Sequence, residues 1–332
     1  MTQTILHPGP SRRMRLGKTL LAASFLCSAA ACTQAPCDRA CTIDVTDRYL
    51  AAVASHDPSA APLADDVRFV ENAQRTEVGE GLWQSATGGP TAFSIHVPDP
   101  VNQSAGWIGM MEQEGKPVLV ALRLKLDGNR IVEVEHRITD VRDNVLDRLK
   151  TPRAGLLADV SADKRLDHDT LIRIGGSYYD AVDDNDGTKM PFAADCQRQE
   201  NGMITAGEGA GQGPASQGVS PIASDCTGQL SSGVMTYITT IDDRQVFAAD
   251  PQTGLAMGFS VLRHPMDFPP YEVTSLDGSK SLWTKERLGY APWDNAAAHI
   301  WKIGADGKVH EIEAMGFRVA SEAPTHWDDV SR

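Results

Sequence analysis

Residues 62–72 read PLADDVRFVEN, and residues 191–201 read PFAADCQRQEN. The two stretches align without a gap at a constant offset of 129, with Pro, Ala, Asp, Glu and Asn recurring in place. The same offset pairs Tyr49 with Tyr178 and Asp57 with Asp186. An internal repeat of this length predicts two copies of one folding unit. Upstream of each copy, apolar residues at helical spacing predict helices over 43–55 (Val45, Tyr49, Leu50, Ala52, Val53) and 169–183 (Leu171, Ile174, Tyr178, Tyr179, Val182). His56-Asp57-Pro58 and Asp183–Gly187 break them.

Downstream, strands are expected at 67–70, 91–97, 107–111, 117–126 and 130–138. Val118, Val120, Leu122, Leu124 and Leu126 alternate, and Asp127-Gly128-Asn129 is a hairpin signal. In the second copy strands are expected at 234–241, 255–262, 297–303 and 309–317. Each unit thus reads as a helix followed by an antiparallel meander, with boundaries at 37–141 and 165–320 and a partly helical charged connector over 142–164. Residues 207–218 are rich in Gly, Ser and Gln and read as a flexible insertion. Residues 265–292 form a second long insertion, whose Tyr271 and Trp283 suit a lid or pocket wall.

The first 31 residues read as a secretory signal. Arg12, Arg13, Arg15 and Lys18 precede the apolar run 19–27 and the small residues 28–31. That run is too short to span a bilayer. Cys32 follows three alanines, the position of a lipid-modified Cys, so an exported chain is expected: periplasmic, anchored at the outer membrane, or otherwise secreted. Without the signal the chain has 27 Lys+Arg against 44 Asp+Glu, a net charge near −17. Such a surface repels phosphates, which argues against nucleic acid as a partner. Membrane contact is expected only through the anchor. Cys196 and Cys226 would close a loop of about 30 residues as a disulfide, and Cys37–Cys41 would be a local staple. Zinc is the rival reading of Cys37 and Cys41, but no His lies near them.

Helix, repeated Pro-…-Glu-Asn strand and a meander ending in Glu-x-Glu together resemble an NTF2-like (SnoaL-like) domain, here in tandem. Cys37-Asp38-Arg39-Ala40-Cys41 with Tyr49-Leu50, Ala54-Ser55-His56-Asp57-Pro58 and Gly79-Glu80-Gly81-Leu82-Trp83 look like a poorly characterised exported subfamily. The resemblance implies an α+β fold with two cones, each a helical segment on a strongly curved antiparallel sheet around an apolar pocket. It implies small-molecule chemistry of the isomerase, cyclase, dehydratase or lyase kind, or non-catalytic binding. A lignin-derived diarylpropane is the substrate it suggests. It further suggests pairing through the sheets, within the chain or in a homodimer.

Strand alternation places Val67, Phe69 and Glu71 on one face of the first copy and Cys196, Arg198 and Glu200 on the same face of the second. Buried charge is costly unless paired. Arg198 and Glu200 are therefore either an ion pair at the cone mouth or an acid/base and anion-stabilising pair. Glu71 reads as satisfying backbone donors at its strand end. His264, at the start of the long insertion, has the side chain best suited to proton transfer near neutral pH. Tyr178 or Tyr179 is the expected proton donor. Trp283, Tyr271, His299 and Trp301 are expected to line an aromatic ligand site. No Walker loop, dinucleotide fingerprint, HExxH or Gly-x-Ser-x-Gly motif occurs, so no cofactor and no metal is expected.

Overall fold

Both repeated stretches are strands that follow a helix. The computed structural model describes Met1, Thr2, Gly9 and residues 35–210, 225–275 and 277–324. Helix α1 (Arg39–Ala54) leads to β1 (Leu63–Glu71), β2 (Gln74–Arg75), helix α2 (Leu82–Ser85), β3 (Ala86–Gly88), β4 (Ser94–Asp99), β5 (Ser104–Gln113), β6 (Lys116–Asp127) and β7 (Arg130–Asp140). A connector carries a 3-10 helix over Asp143–Leu149 and helix α3 (Ala154–Leu157). Helix α4 (His168–Asp183) then leads to β8 (Phe192–Glu200), β9 (Met203–Ala206), helix α5 (Cys226–Ser231), β10 (Thr240–Asp250) and β11 (Leu255–His264). The hairpin β12 (Tyr271–Thr274) and β13 (Lys280–Trp283), helix α6 (Lys285–Leu288), β14 (Trp293–Ile303) and β15 (Val309–Val319) complete the described chain.

The fold is mixed α+β with strongly curved sheet. One sheet runs β2-β1-β7-β6-β5-β3, with β4 also on β5, and the other runs β10-β11-β14-β15-β8-β9. The offset of 129 is legible in atomic detail. Asp38 caps α1 by accepting from the Cys41 N–H, and Asp167 caps α4 by accepting from Thr170. These caps start the helices ahead of the expected 43 and 169. Asn72 and Asn201 share a left-handed φ of 48°. Their side chains latch the closing strands, Asn72 by accepting from the Ile138 N–H and Asn201 by bonding both backbone groups of Gly316. Asn tolerates that φ and offers both a donor and an acceptor, which explains its recurrence.

Two expectations need correction. Neither main sheet is purely antiparallel, because β1 runs parallel to β7 and β8 runs parallel to β15. The rest of the unit separates each pair, and a parallel pair needs such a long connection. The strand expected at 234–241 is instead a pair of turns, closed by bonds from Thr236 N–H to Gly233 and from Ile238 N–H to Met235. The true strand starts at Thr240; Asp242-Asp243-Arg244 disguise it, with Asp243 at φ 48° where the register shifts. The insertion expected over 265–292 carries the β12–β13 hairpin and the short helix α6. Most of the Gly-rich segment (211–218), Cys32 and nearly all of the leader lie outside the described residues.

The alternating side chains of β6 separate two cores. Val118, Val120, Leu122, Leu124 and Leu126 pack with Tyr49 and Val53 of α1. Leu119 and Ala121 face the other way, into a cluster shared with Met257, Phe259, Ala298 and Ile300 of the second sheet. A third cluster holds Tyr178, Tyr179 and Trp301 beneath α4. Polar groups pin the sheet-to-sheet contact. Buried Arg137 stacks on Phe259 at 4.2 Å and donates to the Ser260 and Ala297 carbonyls at 2.7 and 2.6 Å. Buried Asp99 accepts from the Ala249 N–H and bonds His168.

Cys37–Cys41 and Cys196–Cys226 are disulfides. Disulfides persist in oxidising compartments, which points to a chain working outside the cytoplasm. No described helix is long and apolar enough to cross a membrane.

Candidate functional site

The first unit closes its interior with a complete hydrogen-bond chain. Helix α1 projects Tyr49 inward, and its hydroxyl bonds His136 Nε2 at 2.8 Å. His136 Nδ1 bonds Glu71 at 3.0 Å, and Glu71 also accepts from the Leu82 N–H at 3.0 Å, the first residue of α2. Glu71 thus serves backbone and side-chain donors at its strand end. Phe69 packs edge-on against the His136 ring at 4.9 Å, and Trp83 against Tyr49 at 5.4 Å.

The second unit keeps the ends of this chain and changes its middle. Tyr178 and Glu200 stand where Tyr49 and Glu71 stand. In register, Glu71 lies opposite His136, while Glu200 lies opposite Ala314. The His is therefore gone, and Arg198 replaces Phe69. Arg198 is buried and donates to Glu200 at 2.8 Å and to Thr205 at 2.7 Å. Burial opposes its charge, but Tyr178 and Glu200 outweigh that and raise its pKa. Burial raises Tyr178 above its ordinary range, with the Arg198 charge working against the rise. Tyr179 is pushed up further by burial, and its hydroxyl donates to the Phe259 carbonyl at 3.2 Å.

His299 and Trp301 lie two apart on β14 and stack with planes 7° apart. The His299 ring is 4.8 Å from Tyr178. Burial holds its pKa well below the ordinary value, and the charges of Arg198 and Arg137 add to that. Two glycines make room for this cluster. A Cβ on Gly258 would meet the Tyr179 hydroxyl at 2.5 Å, and one on Gly175 would meet Trp301 at 2.9 Å.

Nearer the insertion, His264 stacks on Trp293 with centroids 3.8 Å apart; the two residues are register partners on β11 and β14. Tyr237 covers His264 at 5.3 Å, and Arg318 lies over Trp293 at 4.3 Å. Burial lowers the His264 pKa to about 4, so its ring is neutral at working pH. Burial, aided by Glu200, lifts Tyr237 to about 12. The Glu200 charge acts to raise Tyr178, Tyr237 and His264 alike. On the insertion Tyr271 packs with Trp283 at 6.2 Å.

Six buried polar atoms of this region have no hydrogen-bond partner among the described residues: Arg198 Nε, His264 Nδ1, Tyr271 Oη, Trp293 Nε1, His299 Nδ1 and Trp301 Nε1. In the first unit's interior only Trp83 Nε1 is so placed. Buried polar groups are ordinarily satisfied, so such a concentration marks a site.

Arg198, Glu200, Tyr178, Tyr179, His299 and Trp301 lie together, and His264 stands in a separate aromatic group with Tyr237 and Trp293. Trp301 is fully buried and packed by His299 and both tyrosines, while Tyr271 and Trp283 pair on the hairpin. Sequence reasoning missed Tyr237, Trp293, Arg318 and Thr205. The one available signal was position: Trp293 follows Pro292 where the long insertion re-enters the sheet. No described cluster of three or more His, Cys, Asp or Glu side chains is arranged for a metal.

A family model described as a domain of unknown function (DUF8021) matches residues 164–316, which span the second sheet and α4. No curated protein matches. Among solved structures, the chain is similar to a proposed ketosteroid isomerase from Kribbella flavida DSM 17836, at 14% identity and TM-score 0.28, over 33% of this chain and 85% of that one. It is also similar to an NTF-2 like protein of unknown function from Burkholderia xenovorans LB400, at 13% identity and TM-score 0.25, over 31% and 87%. A protein from Sphaerobacter thermophilus matches at 17% identity and TM-score 0.22, over 30% and 96%.

Proposed function

We propose that the chain is an exported, cofactor-independent acid–base enzyme, a lyase, dehydratase or isomerase, acting on a small hydrophobic aromatic molecule in the second unit. The observation that carries this reading is the set of six unpartnered buried polar atoms in the second unit, Arg198 Nε among them. In the proposed mechanism His264 Nδ1 or Glu200 removes a proton from the substrate. The Arg198 Nε–H stabilises the oxyanion that develops, and Tyr178 returns a proton. Tyr178 is the better donor of the two tyrosines because Tyr179 is committed to a backbone carbonyl. The first unit, whose own chain is closed, serves as a scaffold. The two units are read as NTF2-like cones joined back to back through their outer sheet faces, an internal pseudo-dimer, with Cys32 as a lipid anchor in the periplasm.

A second reading, a non-catalytic ligand carrier, draws support from His264 itself. An imidazole whose conjugate acid lies at about 4 is a weak base. Native mass spectrometry of the mature protein, followed by turnover assays on whatever co-purifies, separates the two. An enzyme should turn that compound over, and His264→Gln should lower kcat/KM by about 10²–10⁴ with Tm nearly unchanged. Full activity in this variant removes His264 from the mechanism. A retained but unconverted ligand favours the carrier.

A further inference from the structure

Helix α4 begins on a histidine held by two carboxylates. His168 follows the N-cap Asp167, and its side chain is only 13% exposed. Its Nε2 lies 2.8 Å from Asp99 Oδ2, and its Nδ1 lies 2.9 Å from Asp169 Oδ1. An ionised carboxylate only accepts, and a neutral imidazole has a single N–H. Both contacts are therefore hydrogen bonds only while the ring carries both protons. Asp99 is committed as an acceptor on both oxygens. Its Oδ1 takes the Val101 and Asn102 N–H groups, and its Oδ2 takes the Ala249 N–H. One imidazolium thus joins three elements: the turn after β4, the edge strand β10 and the start of α4.

Charge at this junction has no substitute. Asp99 is fully buried, and among the described residues His168 is the only cation that pairs with it. The other charged groups of these elements are occupied. Asp167 accepts from Thr170, Asp250 beside Ala249 pairs with Arg39, and Lys125 of β6 donates to the Asn102 carbonyl. Burial opposes the His168 charge, but Asp169 and Asp99 outweigh it and raise the pKa. The positive end of the helix dipole opposes that charge as well. Loss of the proton removes one of the two bonds and leaves a buried carboxylate without its counter-charge, which is costly.

We propose that His168 is a proton-operated clamp that seats the start of α4 against the β4–β5 turn and β10 when protonated, and releases it when deprotonated. Tyr178 lies about three turns further along the same helix, so the clamp bears on the second interior whether that interior catalyses or only binds. Unfolded His titrates near 6.5 and folded His168 higher. The stability it contributes is therefore complete below about pH 6.5 and lost as pH rises through the folded value.

Hydrogen exchange on the full mature chain at about pH 6 and about pH 9, corrected for the intrinsic rate, tests this. Amides 171–174 of α4 and the Ala249 amide should lose about tenfold in protection at the higher pH, the worth of one hydrogen bond to a charged group, while those of β6 keep theirs. His168→Gln should show the lower protection at both pH values. Asp169 is 96% exposed, so Asp169→Asn should fold normally and move the release to lower pH. His310→Gln removes the other histidine held by two carboxylates, Asp195 of β8 and Asp306 of the β14–β15 turn, and should leave the α4 profile unchanged. Equal α4 protection at both pH values in the unaltered protein overturns the clamp, as does a loss spread evenly over β6. A pH-dependent α4 in His168→Gln, or an Asp169→Asn profile that does not move, overturns it too.

Discussion

The two interiors face one physical problem and answer it differently. Each holds a helix tyrosine and a strand-end glutamate in an apolar surround. In the first, His136 bridges Tyr49 and Glu71, Phe69 packs beside it, and Glu71 also caps α2. In the second, the Phe has become Arg198 and the His has become Ala314, so the bridging group now grows from β8 rather than β15. The exchange is paired: an arginine in place of Phe69 would crowd His136, and an alanine in place of His136 alone would leave Tyr49 unbonded. The difference teaches that the two interiors share their tyrosine and glutamate ends and differ in the group between them. The closed chain stabilises, whereas the open one leaves donors unspent.

The largest test of that comparison is to convert one interior into the other. Arg198→Phe should cost about 3 kcal/mol in urea denaturation, because it strips Glu200 of its partner; Glu200 is partly exposed, which keeps the cost at the low end. Adding Ala314→His should recover at least about 1 kcal/mol by rebuilding the bridge. A double variant no more stable than the single one would show that the two positions are not coupled. His136→Ala in the first unit should cost about 2–4 kcal/mol, since it opens a cavity and leaves the buried Tyr49 hydroxyl unpartnered. A loss under about 1 kcal/mol would mean the closed chain contributes little.

Acid should act mainly through the second unit. Unfolded His titrates near 6.5 and folded His264 near 4, so between them the unfolded state binds more protons. Stability should fall as pH drops from about 6.5 to 4 and level off below for this group, by up to about 3 kcal/mol. Glu313, raised by burial to about 7, works with the opposite sign between about 4.5 and 7, so the total slope is a mixture. Comparing the protein with His264→Gln isolates the histidine, and parallel pH profiles would contradict the shift. The smallest expected change is His299→Leu, within about 1 kcal/mol, because its Nδ1 has no described partner to lose. A loss matching that of His136→Ala would erase the distinction between the interiors.

Much of this was legible in the chain. The gapless repeat marked two strands that each follow a helix, and strict alternation placed five β6 residues in one core. Alternation also set Arg198 and Glu200 on the inner face. The Glu-Asn pair announced a strand end, although the left-handed φ of the Asn was needed to explain it. What misled was polar camouflage: three charged residues hid the start of β10, and turn-forming neighbours made 234–238 look extended. Trp293 and Tyr237 escaped notice because nothing local connects them to His264.

By itself, then, the sequence determined the two helix-then-strand segments, the alternating faces and the cysteine pairs, since each depends on residues close together or on a strict period. Only the tertiary structure decided which strands run parallel, that His136 and Ala314 are counterparts despite their different distances from the repeat, and that six polar atoms of the second unit, Arg198 Nε among them, remain unpartnered. Those facts depend on register and on contacts between distant strands, and no local pattern encodes them.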